Sequence, residues 1–306
     1  MNKASFHVIV AGNPRWAKML SGELCEMGVG GYNHPGLRDS LRHFKLDPLR
    51  KFLSAKILHW VYAPTSPPRL FGMAKQLNKK VVLHWIGSDV LDFRDYISSH
   101  RCLPGYLTRL VDVCLAVCPG LQEELKSLGI HTRIIKLISP KIEADIQKLP
   151  DKPAVLVYFS GESRQEFYGC SYILSLARKL PDIPFYVVGS GRGKLTNAPA
   201  NMSFLGEVAD MESIYRRISV HIRFTEHDAG QPSMVLESLA RGRYVLFNHA
   251  FPHTTKVTTI QDGITALKKA LSATTTNLEG AAYVRENFSW QHEIEKLKDI
   301  YTELLT

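Results

Sequence analysis

Short apolar runs rich in β-branched residues alternate along this chain with segments whose apolar positions recur every three or four residues. That alternation is the mark of parallel sheets covered by helices. FHVIVAG (6–12) predicts a first strand and glycine turn, and a helix follows over about 16–27. Strands are then expected at 55–64, 80–87 and 111–117, with helices at 69–78 and 120–129, and TRIIKL (132–137) closes the series. Residues 138–153 are polar with prolines near both ends, which predicts a linker between two separate sheets.

A second series begins at AVLVYF (154–159). A helix at 170–180 leads to PFYVVGSG, and MSFLGEV, VHIRF and YVLFN (244–248) read as strands separated by the helices DMESIYRRI and SMVLESLARG. The tail HEIEKLKDIYTELL is helical by the spacing of Ile294, Leu297, Ile300 and Leu304. The expected fold class is α/β, with two consecutive doubly wound sheets. Such sheets bind ligands at the carboxyl ends of their strands, which places a candidate site without saying what it does.

Length and composition agree with that division. At 306 residues the chain exceeds a single-domain size of roughly 100–150 residues. Its 45% hydrophobic and 22% charged residues exclude disordered and fibrous classes. No apolar run reaches the 18 or so residues that span a bilayer and no signal-peptide pattern opens the chain, so a cytoplasmic location is expected. Cys25, Cys102, Cys114, Cys118 and Cys170 form an odd set without CxxC knuckles, which signals neither a disulfide framework nor zinc, and no metal is expected.

Charge divides the halves. Residues 1–150 carry 21 Lys and Arg against 12 Asp and Glu, whereas residues 151–306 carry 17 of each. Arg38, Arg42, Lys45, Arg50, Lys51 and Lys56 are interleaved with Leu and Phe, as in a basic amphipathic element on an anionic membrane surface or in an ordinary solvated helix face. No nucleic-acid-binding motif accompanies them.

The chemistry concentrates in VHIRFTEHDAGQPSMVLESLARGRYVLF (220–247), where a strand, a polar loop and a Pro-Ser helix start follow one another. The free N–H groups of a helix N-terminus suit a diphosphate, which points to the backbone at Ser233, Met234 and Val235. Glu237, about a turn further on, could accept hydrogen bonds from two vicinal ribose hydroxyls, or face solvent as an ordinary helix glutamate.

HDAGQPSMVLESLARGRYVLF resembles the donor-binding signature of the large retaining family of GT-B glycosyltransferases that includes sucrose synthase and the bacterial phosphatidylinositol mannosyltransferases. The resemblance implies two Rossmann-like domains facing a cleft, a nucleotide-sugar donor and a glycan or lipid-linked acceptor. It assigns the ribose to Glu237, the diphosphate to Ser233, Met234 and Val235, and the place beside the donor sugar to an acid. Seven-residue spacing from Glu237 lands on Ala229, so Asp228 fills the acidic role with one extra loop residue, and Glu226 is the alternative. YFSGESRQEFYG (158–169) is similar to the first strand and loop of the donor domain, with Gly161 and Arg164 in place and Tyr168 where a lysine is usual. FYVVGSGRG (185–193) resembles the next strand and the glycine turn at Gly189, and NMSFLGEV (201–208) the strand whose exit meets the base near Glu207 and Val208.

In the N-terminal half, Gly12 suits close approach of backbone to a phosphate. LHWIGSDV (83–90) emits His84 and Asp89 at the end of a strand. Related enzymes place a sugar-contacting histidine near here, which implies that role for His84, with a hydrogen-bonded core histidine as the alternative. Asp89 is the candidate for orienting an acceptor hydroxyl, or else a helix cap. The expected organisation is an acceptor domain over 1–140, a donor domain over 154–285 and a terminal helix over 286–306 returning to the first domain. The expected function is sugar transfer with retention of anomeric configuration. A catalytically silent nucleotide-sugar-binding subunit is the alternative; an oxidoreductase is disfavoured because VIVAGNPRWAKML lacks GxGxxG.

Overall fold

The computed structural model describes residues 7–26, 30–33, 46–191, 193, 195, 197–228 and 230–306. They form two compact units, Met1–Leu137 with Ser289–Thr306, and Ile138–Phe288. Arg38, Arg42 and Lys45 of the basic element, and Ala229 of the donor-signature loop, lie outside the described residues.

In the first unit β1 (His7–Gly12), β2 (Gly30–Asn33), β3 (Ile57–Val61), β4 (Lys80–Trp85), β5 (Val113–Ala116) and β6 (Arg133–Ile134) make one sheet in the order β2-β1-β3-β4-β5-β6. Every pairing is parallel. Val8, Ile9, Val10 and Ala11 are all buried, as are Val81, Val82 and Leu83, because both faces of the sheet are covered. The helices are α1 (Pro14–Glu26), α2 (Leu46–Ser54), α3 (Arg69–Gln76), α4 (Asp89–His100), α5 (Tyr106–Arg109) and α6 (Pro119–Ser127). The direction of winding reverses between β1 and β3. The structure departs from expectation in several places: β2 is a Gly-Gly-Tyr-Asn edge strand with no apolar run to announce it, α4 and α5 stand outside the expected series, and β6 keeps only two residues of TRIIKL.

The second unit repeats the plan. Its strands are β7 (Val155–Tyr158), β8 (Phe185–Val188), β9 (Met202–Gly206), β10 (Val220–Arg223), β11 (Tyr244–Phe247) and β12 (Thr255–Lys256), ordered β12-β11-β10-β7-β8-β9 and again all parallel. Its helices are α7 (Cys170–Lys179), α8 (Met211–Tyr215), α9 (Ser233–Ala240), α10 (Ile260–Leu271) and α11 (Leu278–Asn287). Alternation along β7 divides the core: Val155 and Val157 pack with Ile173 and Leu176 of α7, while Leu156 packs with Ile214 and Tyr215 of α8. The reversal lies between β7 and β10.

The polar segment 138–153 is tied to this second unit. Arg241 Nη1 donates to Lys141 O at 2.8 Å, and Arg243, fully buried, donates through Nη1 to Lys148 O at 3.1 Å. Burial lowers the Arg243 guanidinium to about 10. The terminal helix α12 (Trp290–Leu305) belongs to the first unit and buries Ile294, Leu297, Ile300 and Tyr301. All five cysteines stand without a disulfide. Among the described residues, no helix is long and apolar enough to cross a membrane, and no group of three His, Cys, Asp or Glu side chains could hold a metal ion.

Candidate functional site

The reversal between β7 and β10 opens a crevice at the carboxyl edge of the second sheet. Three stretches supply it: the loop after β7, the loop after β10, and the start of α9. At α9 the residue before the helix is Pro232, with no side-chain cap. Val235 N–H donates to Pro232 O at 2.9 Å, so its amide is spent. The amides of Ser233 and Met234 have no partner among the described residues. Of the three amides expected to face a diphosphate, that of Val235 is thus closed within the first turn, and those of Ser233 and Met234 are open among the described residues.

Glu237 is buried, not solvent-facing. Its Oε2 accepts the Tyr215 hydroxyl at 3.1 Å, and its Oε1 is buried without a hydrogen-bond partner among the described residues. Burial first, and then the neighbouring Glu237, push the Tyr215 phenol well above its usual range, so it stays a donor. An orphaned buried carboxylate oxygen costs about 1–3 kcal/mol and calls for a partner. Ser238, next on the helix, bonds His221 Nδ1 at 2.9 Å, which holds α9 against β10.

In the loop after β7, Gly161 turns with φ 80° and presents Arg164, whose guanidinium stacks on Phe167 at 4.4 Å and reaches Tyr168 at 5.7 Å. Gly189 has φ 81°, and a side chain there would sit 2.5 Å from Phe159 O. That glycine is required by packing at the strand exit. At the exit of β9, Glu207 is exposed and Val208 packs partly into the core. Asp228 spends both carboxylate oxygens internally: Oδ2 accepts Arg223 Nη2 at 2.9 Å, and Oδ1 accepts Gly230 N–H at 2.8 Å. Glu226, on the same loop, is exposed.

The first unit treats its expected site residues differently. Gly12 has φ 102°, and a Cβ there would lie 2.0 Å from Val61 O, so β3 demands the glycine and its close approach is to protein backbone. His84, expected to touch a donor sugar, is instead wholly buried. His84 Nε2 faces Ile135 O at 2.9 Å, and since a carbonyl only accepts, that nitrogen carries the proton. His84 Nδ1 must then accept from His59 Nε2 at 3.1 Å, and His59 Nδ1 accepts the Tyr301 hydroxyl at 2.6 Å. Both rings are satisfied and neutral: burial lowers His84 to about 4 and His59 well below its usual range. Asp89, expected to orient an acceptor hydroxyl, is also wholly buried. It accepts N–H bonds from Ala63 at 2.9 Å, Gly87 at 2.8 Å and Ile86 at 3.1 Å, clamping the loop after β4 to the loop after β3. Desolvation raises it to about 6 despite those bonds. Beside these loops lies a groove of about 390 Å³ lined by Thr65, Ser66, Tyr96, Tyr106 and Arg109 among others.

No protein-family model matches the chain, and no curated protein matches it in sequence. Solved structures do. A glycosyltransferase from Rickettsia africae matches with a TM-score of 0.65 at 14% identity over 99% of each chain. HepE of Anabaena, solved in complex with UDP-glucose, matches with a TM-score of 0.71 at 11% identity over 97% of this chain and 99% of its own. The pneumococcal O-GlcNAc transferase GtfA, solved with UDP and GlcNAc, matches with a TM-score of 0.55 at 14% identity over 84% of this chain and 60% of its own. The fold is GT-B.

Within the GT-B fold, two residues of the crevice stand outside the expected site residues, Tyr215 and Arg223. Tyr215 bonds Glu237 from a helix 22 positions away, and only the packing of α8 on α9 reveals it. Arg223 ends β10 as the lone charge in VHIRF, and a charged residue at the carboxyl end of a core strand was the available signal.

Proposed function

We propose that this chain is a glycosyltransferase that takes a sugar from a nucleotide-sugar donor and passes it to a glycan acceptor. One observation carries the reading: among the described residues, Glu237 Oε1 is buried without a partner, one turn behind the two open amides of Ser233 and Met234, in the crevice where this sheet topology binds ligands. Ribose hydroxyls are the donors that such an oxygen lacks. The amides of Ser233 and Met234 then take the diphosphate, and Arg164 balances its charge. Both act more strongly on the leaving diphosphate than on the intact donor, because negative charge grows there as the glycosidic bond breaks. Solved complexes of HepE with UDP-glucose and of GtfA with UDP and GlcNAc support the donor class by likeness of fold.

The finer reading is transfer with retention, without a metal. The anomeric carbon–oxygen bond to the diphosphate breaks, the acceptor oxygen bonds to the same face, and the acceptor proton passes to the departing phosphate oxygen. With the Asp228 and Asp89 carboxylates occupied, this route needs no protein base, and we assign the place beside the sugar to Glu226, the exposed acid of the same loop. The acceptor is assigned to the first unit, whose groove combines the tyrosines Tyr96 and Tyr106 with hydroxyls and Arg109, a surface suited to a sugar ring. The basic balance of residues 1–150 favours an acceptor on an anionic lipid surface. Sedimentation with vesicles containing anionic lipid tests this part, and binding that ignores lipid charge removes it.

The donor reading is tested by a thermal-shift panel of UDP-, GDP-, ADP- and CMP-sugars on the wild type and Glu237→Ala, because a ligand of the native state raises stability as RT ln(1 + [L]/Kd). One nucleotide class should stabilise the wild type and fail on the variant. No stabilisation by any class overturns the reading. A silent donor-binding subunit is the second reading, favoured by the internal engagement of Asp228, His84 and Asp89. Donor binding with neither transfer nor hydrolysis would establish it.

A further inference from the structure

The loop after β7 offers a diphosphate a single guanidinium, and the ring of Tyr168 stands beside it. That ring has cations near it from two elements. Arg164 Cζ lies 5.7 Å from its centroid and Arg223 Cζ 5.6 Å, so the two guanidiniums converge on one phenol at the reversal of the sheet. Arg223 reaches there because it ends β10, the strand beside β7, where a side chain leaves the core for the crevice. Its guanidinium is fixed on three sides: Nε and Nη2 donate to Asp228 Oδ2 at 3.1 and 2.9 Å, and the rings of Tyr168 and Phe247 flank it, the latter at 5.8 Å. Nη1 has no partner among the described residues, and the side chain keeps 14% of its surface exposed.

We infer that Arg223 is a second ligand of the donor's diphosphate, aimed by Asp228 and offering its Nη1 edge. The inference rests on the donor reading above. Asp228 is on this account a positioning residue: its carboxylate sets the plane of the guanidinium, and its bond to Gly230 N–H ties that plane to the loop before α9. Pairing with Asp228 leaves Arg223 little net charge, so its contribution is a directed, charge-assisted hydrogen bond to a phosphate oxygen. Arg164, without an ion pair among the described residues, supplies the charge.

Titration calorimetry decides it with UDP, GDP, ADP and CDP, each beside its nucleoside. A protein that only closes a loop through Arg223 changes its affinity for nucleoside and diphosphate together, whereas a phosphate ligand changes the diphosphate alone. Arg223→Gln should lower affinity for the preferred diphosphate at least tenfold and leave the nucleoside within about twofold. Because Arg223→Gln leaves Asp228 unpaired and nearly buried, Arg223→Gln with Asp228→Asn is measured alongside; it removes both charges and keeps the Gly230 bond. If either folded variant keeps the wild-type ratio of diphosphate to nucleoside affinity, or loses both ligands equally, the inference is overturned while the donor reading stands. If the wild type itself binds none of the diphosphates, the donor reading fails first.

Discussion

At the carboxyl edge of the first sheet, Asp89 and His84 find every partner they need inside the fold, whereas beside the second sheet Glu237 is buried with an oxygen that no donor among the described residues reaches. Both regions bury charged or titratable side chains at the end of a parallel sheet, and both look alike in sequence: a strand, a glycine and an acid. The difference lies in satisfaction. A buried polar group whose bonds all close within the protein stabilises the native state, and one left open stores a binding opportunity at a cost in stability. Gly12 and Gly161 divide in the same way: the first faces Val61 O, and the second has open space where a side chain would stand.

Removing the closed group should have the largest effect on stability. Asp89→Ala strands the amides of Ala63, Ile86 and Gly87, and urea unfolding should show a loss of about 3 kcal/mol or more. A loss under about 1 kcal/mol would break the comparison.

The histidine chain sharpens it through pH. His84 falls from 6.5 to about 4 on folding, so the unfolded chain binds more protons between those values. Stability from His84 is therefore complete above pH 6.5 and lost as pH falls toward 4, by on the order of 3 kcal/mol. His59 and His221, both held low by burial, act in the same direction. Asp89, raised from 3.8 to about 6, opposes them over that narrower window, since its contribution is present at low pH and lost as pH rises through 6. With three groups against one, the melting temperature should drop on acidification below pH 6.5, and His59→Phe should make the drop shallower. A melting temperature flat from pH 7 to pH 4.5 would contradict the tautomer chain.

For the open group the expectation reverses. Glu237→Gln should leave the melting temperature unchanged or higher, since the amide oxygen can still accept the Tyr215 hydroxyl and no existing bond is lost, yet weaken nucleoside binding by about 1.5 kcal/mol or more, tenfold or greater. A stability loss with unchanged affinity would make Glu237 another closed structural group. The smallest effect belongs to the exposed pair Arg133–Glu303, whose 2.5 Å contact joins β6 to α12. Glu303→Gln should shift the melting temperature by no more than the error of the measurement, because solvent and salt screen such a pair.

Periodicity alone located most strands and helices of both units, because a strand buried on both faces must be a continuous apolar run and a covering helix must repeat its apolar positions every three or four residues. It missed β2, whose edge residues carry no such run, and lengthened β6, because Ile135 and Leu137 stay buried after the chain leaves the sheet, where Lys136 N–H donates to Glu293 of α12. The segment 220–247 announced a helix start fit for phosphate and a glutamate beyond it, both set by local spacing. Whether a given polar side chain is satisfied depends on partners far along the chain: Tyr301 for His59, Ala63 for Asp89, Tyr215 for Glu237. Local spacing therefore determined which residues could do chemistry, and tertiary packing decided which of them were left free, because hydrogen-bond closure is a property of neighbours in space.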